Sequence, residues 1–330
     1  MTSQKKTSSR LPFLLGGVVF LMIAAYCVYW FVMAGELRKG VDTWVNDQRA
    51  AGHTVTYSKM KLGGFPYRFS LRVNDPVIAS PVEGWSWAGT ELTLVAQTYN
   101  LQHLLAFSPE KNVFKVEGQP DTMISPGPKS VASLKFDAAY NLTDFGLTVP
   151  TAKVEHGDAT AFQVNDLGLS LNPMPDNADN LKFKLAVKQI SIDKIDDDLV
   201  WLGPTADELI VWLEVEKFYP LIRNELSETE WRQAGNKLHL RRGQVDWGPL
   251  DLATKASVRL DDNLDPNGTI GVHLERTNDL KSALQKAGKL TDEANLAISA
   301  FGFFSNGDKF VDLEVRERSI YAFDRRLTSY

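Results

Sequence analysis

The longest apolar run in the chain is Leu11 to Ala34, 24 residues without a charge. As a helix it measures about 36 Å, enough to cross the roughly 30 Å hydrocarbon core of a bilayer with some tilt. Pro12 suits a first helical turn, and Tyr26, Tyr29 and Trp30 gather toward the far end as an interfacial aromatic belt does. Beyond it Leu37, Val41, Trp44 and Val45 recur at the spacing of one helical face, and Gly52 closes the segment. An amphipathic helix is therefore predicted over 35–52. Its stripe either lies on the first strands of the body or floats on lipid. The mixed acidic and basic polar face favours the first arrangement.

After Gly52 the period falls to two. Phe69, Leu71 and Val73 alternate with Ser70, Arg72 and Asn74, and the same pattern recurs at Trp85 and Trp87, Leu92 to Ala96, Leu134 to Leu142, Leu167 to Leu171 and Phe183 to Val187. It returns at Leu250 to Leu260, Ile270 to Leu274 and Val311 to Val315. Such alternation marks strands with one dry and one wet face, and short links rich in Gly, Pro, Asn and Asp favour antiparallel neighbours. Helices are predicted after two capping boxes, Thr205 with Glu208 and Ser227 with Glu230, and over Asp279–Ala287 and Asp292–Phe304. In the last of these, Ala297, Ala300, Phe301 and Phe304 share a face. The expected fold is mainly β with accessory helices (α+β): an N-terminal transmembrane helix, then a twisted, mostly antiparallel, groove-like β structure. The segments expected are a cytoplasmic tail over 1–10, the membrane helix over 11–34, the amphipathic helix over 35–52 and an exported β-rich body over 53–330.

Charge adds the orientation. Lys5, Lys6 and Arg10 precede the apolar run, whereas Glu36, Arg38, Lys39 and Asp42 follow it. The positive-inside rule then keeps the tail in the cytoplasm and sends the rest outside. A cleaved signal peptide is the rival, with Val32 and Ala34 before Gly35 as a small-residue site, but the run is far longer than a signal core. The net charge is −5, and the three basic residues of the tail leave −8 on the remainder. That argues against nucleic acid as a partner, because such binding draws on phosphate neutralisation. The one cysteine, Cys27, lies within the apolar run, so an internal disulfide and a cysteine-based metal site are excluded.

Motifs for chemistry are sparse. Gly84-Trp-Ser86-Trp-Ala88 falls short of a nucleophile elbow, since alanine ends it and a strand follows. Asp261 to Gly268 resembles a calcium loop, yet neither reading frame supplies glycine at the sixth position and glutamate at the twelfth. Asn267-Gly268 reads as a hairpin turn instead. Asp196, Asp197 and Asp198 read as a solvated turn, and the five histidines form no metal pairing. No catalytic residue, metal or cofactor is expected, although a site assembled only in space would escape this reading.

Lys61-Leu-Gly63-Gly64-Phe65-Pro66-Tyr67-Arg68-Phe69, then Asp75-Pro76 and the Trp85–Leu94 strand, are similar, with the anchor, to an uncharacterised domain-of-unknown-function family of Gram-negative bacteria marked by a Gly-Phe-Pro motif. The later strands, hairpin and apolar helix resemble in architecture the β units of AsmA-like envelope proteins. The resemblance implies a single-pass inner-membrane protein with a periplasmic body and, through the AsmA-like group, lipid handling. In the residues themselves, Gly63, Gly64 and Pro66 are expected to form a tight turn that points Phe65 inward.

These readings converge on a protein whose partners are the membrane and either lipid or another envelope protein. Trp85, Leu92, Leu94, Phe136, Leu169 and Leu185 are the candidates to line an apolar β groove for lipid. A scaffold surface and, more distantly, a hydrolase are the alternatives.

Overall fold

The computed structural model describes residues 11–139, 141–157, 159–304, 309–322 and 325–329. The tail over 1–10, with the three basic residues on which the orientation rests, and Tyr140 lie outside them. The membrane run and the amphipathic segment form one helix, α1 (Leu11–Ala50). A single stripe runs along it: Tyr26, Tyr29, Trp30, Met33, Leu37, Val41, Trp44 and Val45.

The body is one antiparallel sheet of twenty strands, open at both edges. Its first ten strands are five long ones, each broken once. Thus β1 (Thr54–Thr56) leads into β2 (Lys59–Gly63), β3 (Arg68–Asn74) into β4 (Val77–Ser80), and β5 (Trp85–Gly89) into β6 (Glu91–Gln97). Likewise β7 (Asn100–Phe107) leads into β8 (Asn112–Val116) and β9 (Thr122–Pro126) into β10 (Val131–Phe136). One arm of the sheet is the order β2-β3-β6-β7-β10, the other β1-β4-β5-β8-β9. Both arms join β11 (Leu142–His156), whose first half pairs with β10 and whose second half pairs with β9.

The breaks line up as a crease. Asp75 takes φ +49° before Pro76, and Pro150 lies between the two halves of β11. Backbone bonds stitch the crease from strand to strand: Asp75 N–H donates to Thr90 O at 2.8 Å, and Gly127 N–H to Thr151 O at 2.7 Å. Few donors are thus lost where the sheet bends.

From β11 the sheet continues as a plain meander through β12 (Ala159–Pro173), β13 (Leu181–Ile192), β14 (Thr205–Val215), β15 (Lys237–Trp247), β16 (Leu250–Leu260), β17 (Pro266–Glu275), β18 (Val311–Arg316), β19 (Ser319–Ala322) and β20 (Arg325–Ser329). Residues directly opposite in an antiparallel pair share a face. One row therefore crosses twelve strands: Leu71, Leu94, Ala106, Ala132, Leu147, Leu169, Leu185, Val211, Gly243, Thr254, Val272 and Val311.

The helices pack on the face that carries this row. α1 sets Trp30 and Ala34 on Phe69. α2 (Phe218–Ile222) and α3 (Glu228–Gln233) bring Tyr219 and Trp231 onto Leu181, Val215, Phe183 and Leu213. α4 (Thr277–Lys286) and α5 (Asp292–Phe304) bring Leu280 and Ile298 onto Leu252 and Leu274. Between them Leu147, Leu169, Leu185 and Val211 stay half-buried and join none of these three clusters. No large side chain among the described residues is completely enclosed. The fold is a one-layer sheet with three separate helical covers.

Several expectations fail locally. Thr205 opens β14, not a helix: Leu209, Val211, Leu213 and Val215 alternate, and pairing to β13 and β15 overrides the local Thr-x-x-Glu signal. Ser227 and Glu230 do form a capping box on α3. Asn267-Gly268 lies inside β17, and the turn is Asp261–Asp265, with Leu264 at φ +67°. Glycine is required at 268 because an added Cβ would lie 2.1 Å from Ser257 O. On α5 the buried residue is Ile298, with Ala297 and Ala300 exposed.

Candidate functional site

The stripe of α1 stands off the crease and encloses two connected apolar spaces with the sheet. The larger, about 560 Å³, is lined by Met33, Leu37, Gly40, Val41, Trp44 and Val45 from the helix. Both sheet arms contribute to it: Val55, Ile78 and Trp87 from one, Met60, Leu71, Val73, Leu92, Leu94 and Leu101 from the other. The smaller, about 270 Å³, lies toward β10 and is lined by Leu62, Phe69, Ala96, Leu104 and Phe136. Leu37, Val41, Leu71, Leu94 and Leu101 line both, which makes them one trough. Both its size and its lining are those of a site for a small apolar ligand.

Polar groups sit at the rim. Glu36 reaches the larger space and pairs with Lys39 at 2.7 Å, and Arg38 borders the smaller one. The exposed ion pair contributes little to stability. The half of the helix that lies over the body is held at Trp30 and at Arg49. Below, Trp30 stacks on Phe69 with ring centroids 5.2 Å apart. Above, Arg49 donates from Nε and Nη2 to Val55 O at 3.1 and 2.6 Å. Between these points Ala34 and Val45 are buried, but space remains at Gly40, where an added Cβ would meet no atom within 4 Å.

Of the residues singled out from the sequence, Leu92 and Leu94 line the larger space, and Leu94 and Phe136 the smaller. Leu169 and Leu185 do not line either cavity; they face each other in the twelve-strand row that starts from Leu71 and Leu94. Trp85 does not line the trough. It shares a face with Trp87 but sits two residues farther along β5, past the cavity, with its indole donating to Glu83 at 2.6 Å. Period-two parity named the face, and only the three-dimensional position of the crease decides which tryptophan reaches the space.

Gly64 takes φ +100°, and an added Cβ would lie 2.6 Å from Arg68 O. Gly63 carries no positive φ, and Pro66 follows a cis peptide. Phe65 does not point into the sheet. It stacks on Phe31 and meets Trp30 edge-on, so it packs outward against α1.

Three polar clusters lie elsewhere. Ser257 Oγ is 3.1 Å from His239 Nδ1, and His239 Nε2 is 2.9 Å from Glu216 Oε1. Burial works to raise the Glu216 carboxyl, but the hydrogen bonds from His239 and the Lys237 amide outweigh it and hold it below the usual range. The order serine, histidine, carboxylate suits nucleophile activation, and none of the three residues lines the trough. Arg276 bridges Asp246 and Asp251 on the hairpin β15–β16, which pins the two strands together. Asp261 accepts from the Asn263 and Asp265 amides and from Asn267, and so organises its own turn. Among the described residues no group of three His, Cys, Asp or Glu side chains is placed to hold a metal ion.

Residues 30–321 match the profile of the family described as "Uncharacterized protein conserved in bacteria (DUF2125)". That is most of the chain, and the chain belongs to this family. The match begins at Trp30, the first residue that stacks on the sheet, takes in the whole trough, and ends within β19. No curated protein sequence matches the chain.

Proposed function

We propose that this DUF2125 member is a periplasmic lipid-binding protein without enzymatic activity, held in the bacterial inner membrane by α1, which takes acyl chains into the trough between α1 and the creased sheet. The observation that carries this reading is the row from Leu71 and Leu94 to Val311. It starts inside the trough, crosses twelve strands as one row of paired positions, apolar except at Gly243 and Thr254, and stays half-uncovered at Leu147, Leu169, Leu185 and Val211. An apolar surface of that continuity is unfavourable in water unless something apolar lies on it. Each methylene laid there contributes about 0.8 kcal/mol, so ten contribute on the order of 8 kcal/mol before the costs of immobilisation. The α1 helix is long and apolar enough to cross a membrane, and only about 6% of its most apolar stretch is buried against the body. Its stripe runs from that stretch directly into the trough.

The test is lipid carried by the full chain after gentle detergent extraction, measured by native mass spectrometry, with Leu94→Arg as the perturbation. Leu94 lines both spaces, so a guanidinium there removes the ligand while its stem reaches water along the open trough. Bound phospholipid in the parent protein, absent from a folded variant, is the expected result. A parent protein free of lipid would overturn the reading.

A further inference from the structure

We infer that the turns β2–β3 and β6–β7 are themselves seated in the lipid headgroup layer, so that the trough opens onto a membrane leaflet rather than into the aqueous compartment. This rests on the reading of α1 as a membrane anchor. Tyr26 and Trp30 lie ten and six residues before Glu36, the first charge after the apolar run, which is about 15 and 9 Å down the helix axis. The two turns dock at that depth. Tyr26 donates to Pro66 O and lies 3.1 Å from Thr98 Oγ1; Tyr29 donates to Thr98 O at 2.8 Å; Trp30 Nε1 donates to Arg68 O at 3.2 Å. Turn carbonyls are costly in an apolar layer unless paired. Here three of them are paired by the amphipathic tips of the anchor's own aromatic side chains.

The side chains at the tips agree. Phe65, Tyr67 and Tyr99 are 47%, 79% and 85% exposed, although all are large and two are tyrosines, the residue type that prefers the membrane–water boundary. The turn at the other end of the long strands, between β4 and β5, carries the 91% exposed Val82 among Pro81 and Glu83 and touches no part of α1 that is described above.

The experiment uses the full chain with Cys27→Ser, carrying a bimane label on one of Tyr67→Cys, Tyr99→Cys, Ile23→Cys or Val82→Cys. The protein is reconstituted in phosphatidylethanolamine–phosphatidylglycerol bilayers. Lipids brominated high on the acyl chain serve as shallow quenchers. Labels at 67 and 99 should lose fluorescence to a degree comparable with 23 and several times greater than 82. Labels at 67 and 99 that behave like 82, while 23 is quenched, would overturn the inference and leave the anchor intact. Absence of quenching at 23 would remove the anchor and the inference together. An empty trough in the lipid measurement would leave the expected quenching unchanged, so the two readings fail separately.

Discussion

Gly40→Leu should raise the intrinsic stability of the protein and abolish its lipid content. Gly40 lies in α1 on the stripe that faces the larger space, and an added Cβ there meets no atom within 4 Å. Glycine inside a helix costs about 1 kcal/mol relative to a good helix former such as leucine. A leucine side chain fully withdrawn from water gains roughly 1.5–3 kcal/mol; the trough is open on one side, so about 1 kcal/mol is a fair share. The expected gain is therefore about 2 kcal/mol. At roughly 2 °C per kcal/mol for a body of this size, the melting temperature rises by about 4 °C. Bound lipid also stabilises by mass action, so the comparison must be made on delipidated samples of both proteins. Lipid stoichiometry is read on the undelipidated pair. A lower melting temperature would mean that the side chain meets packed atoms, as in a closed core, where overfilling costs about 1–3 kcal/mol. A variant with parental lipid content would mean that the ligand lies elsewhere. Either result refutes the argument.

Gly64→Val forces a β-branched residue to φ +100° with its Cβ against Arg68 O, and should lower stability by about 1–3 kcal/mol; an unchanged thermal melt would show the turn to be ordinary. The Glu216 carboxyl is held below its ordinary value of 4.5, so its contribution to stability is present above that value and disappears as pH falls through the lower, folded-state value. Glu216→Gln should accordingly flatten the acid limb of the stability–pH curve measured by urea melts, and an acid limb identical to the parent's would contradict this. As a lipid binder without enzymatic activity, the protein should leave Ser257 unlabelled by a fluorophosphonate probe; labelling that vanishes in Ser257→Ala would restore the hydrolase reading.

The strands were legible because period two survives wherever one face is dry. That Leu134, Leu169, Leu185 and Leu313 sit on the dry parity of their strands follows from that alternation alone, and their register does not. The crease was not legible. Asp75-Pro76, Gly89, Gly127 and Pro150 each look like an ordinary turn or break, and only their hydrogen bonds to neighbouring strands show that they form one line. This is also why Trp85 and Trp87 could not be told apart, since their difference is distance from the crease. The stripe of Leu37, Val41, Trp44 and Val45 was visible as an amphipathic helix. Its role as one wall of the trough depends on Trp30 and Arg49 clamping α1 on either side of that stripe, through contacts 38 and 6 residues apart in sequence. Thr205 and Glu208 misled because a capping box is a local signal, and the strand there is fixed by two non-local partners.

Lipid and a protein partner both offer apolar cover, and the dimensions of the uncovered surface separate them. On β13 and β14 the cover from α2 and α3 ends at Phe183 and Leu213, and on β16 and β17 the cover from α4 and α5 begins at Leu252 and Leu274. One row of side chains, Leu185 and Val211, lies between those limits. Rows on a sheet face are about 7 Å apart, because same-face residues are two positions apart along the strand. A partner helix is about 10–12 Å across with its side chains and needs a wider seat. A partner strand would pair at a sheet edge, not across a face. The row is longer than it is wide: its half-buried stretch, Leu147, Leu169, Leu185 and Val211, crosses four strands, about 14 Å at about 4.8 Å spacing, and leads on through Ala132 and Ala106 to Leu94 in the trough. A slot one side chain wide that runs on to the trough beneath α1 has the width of a single acyl chain, which favours the proposed lipid over a partner helix. The separation of the helical covers into three islands, instead of one layer closing the sheet, is what leaves that slot open.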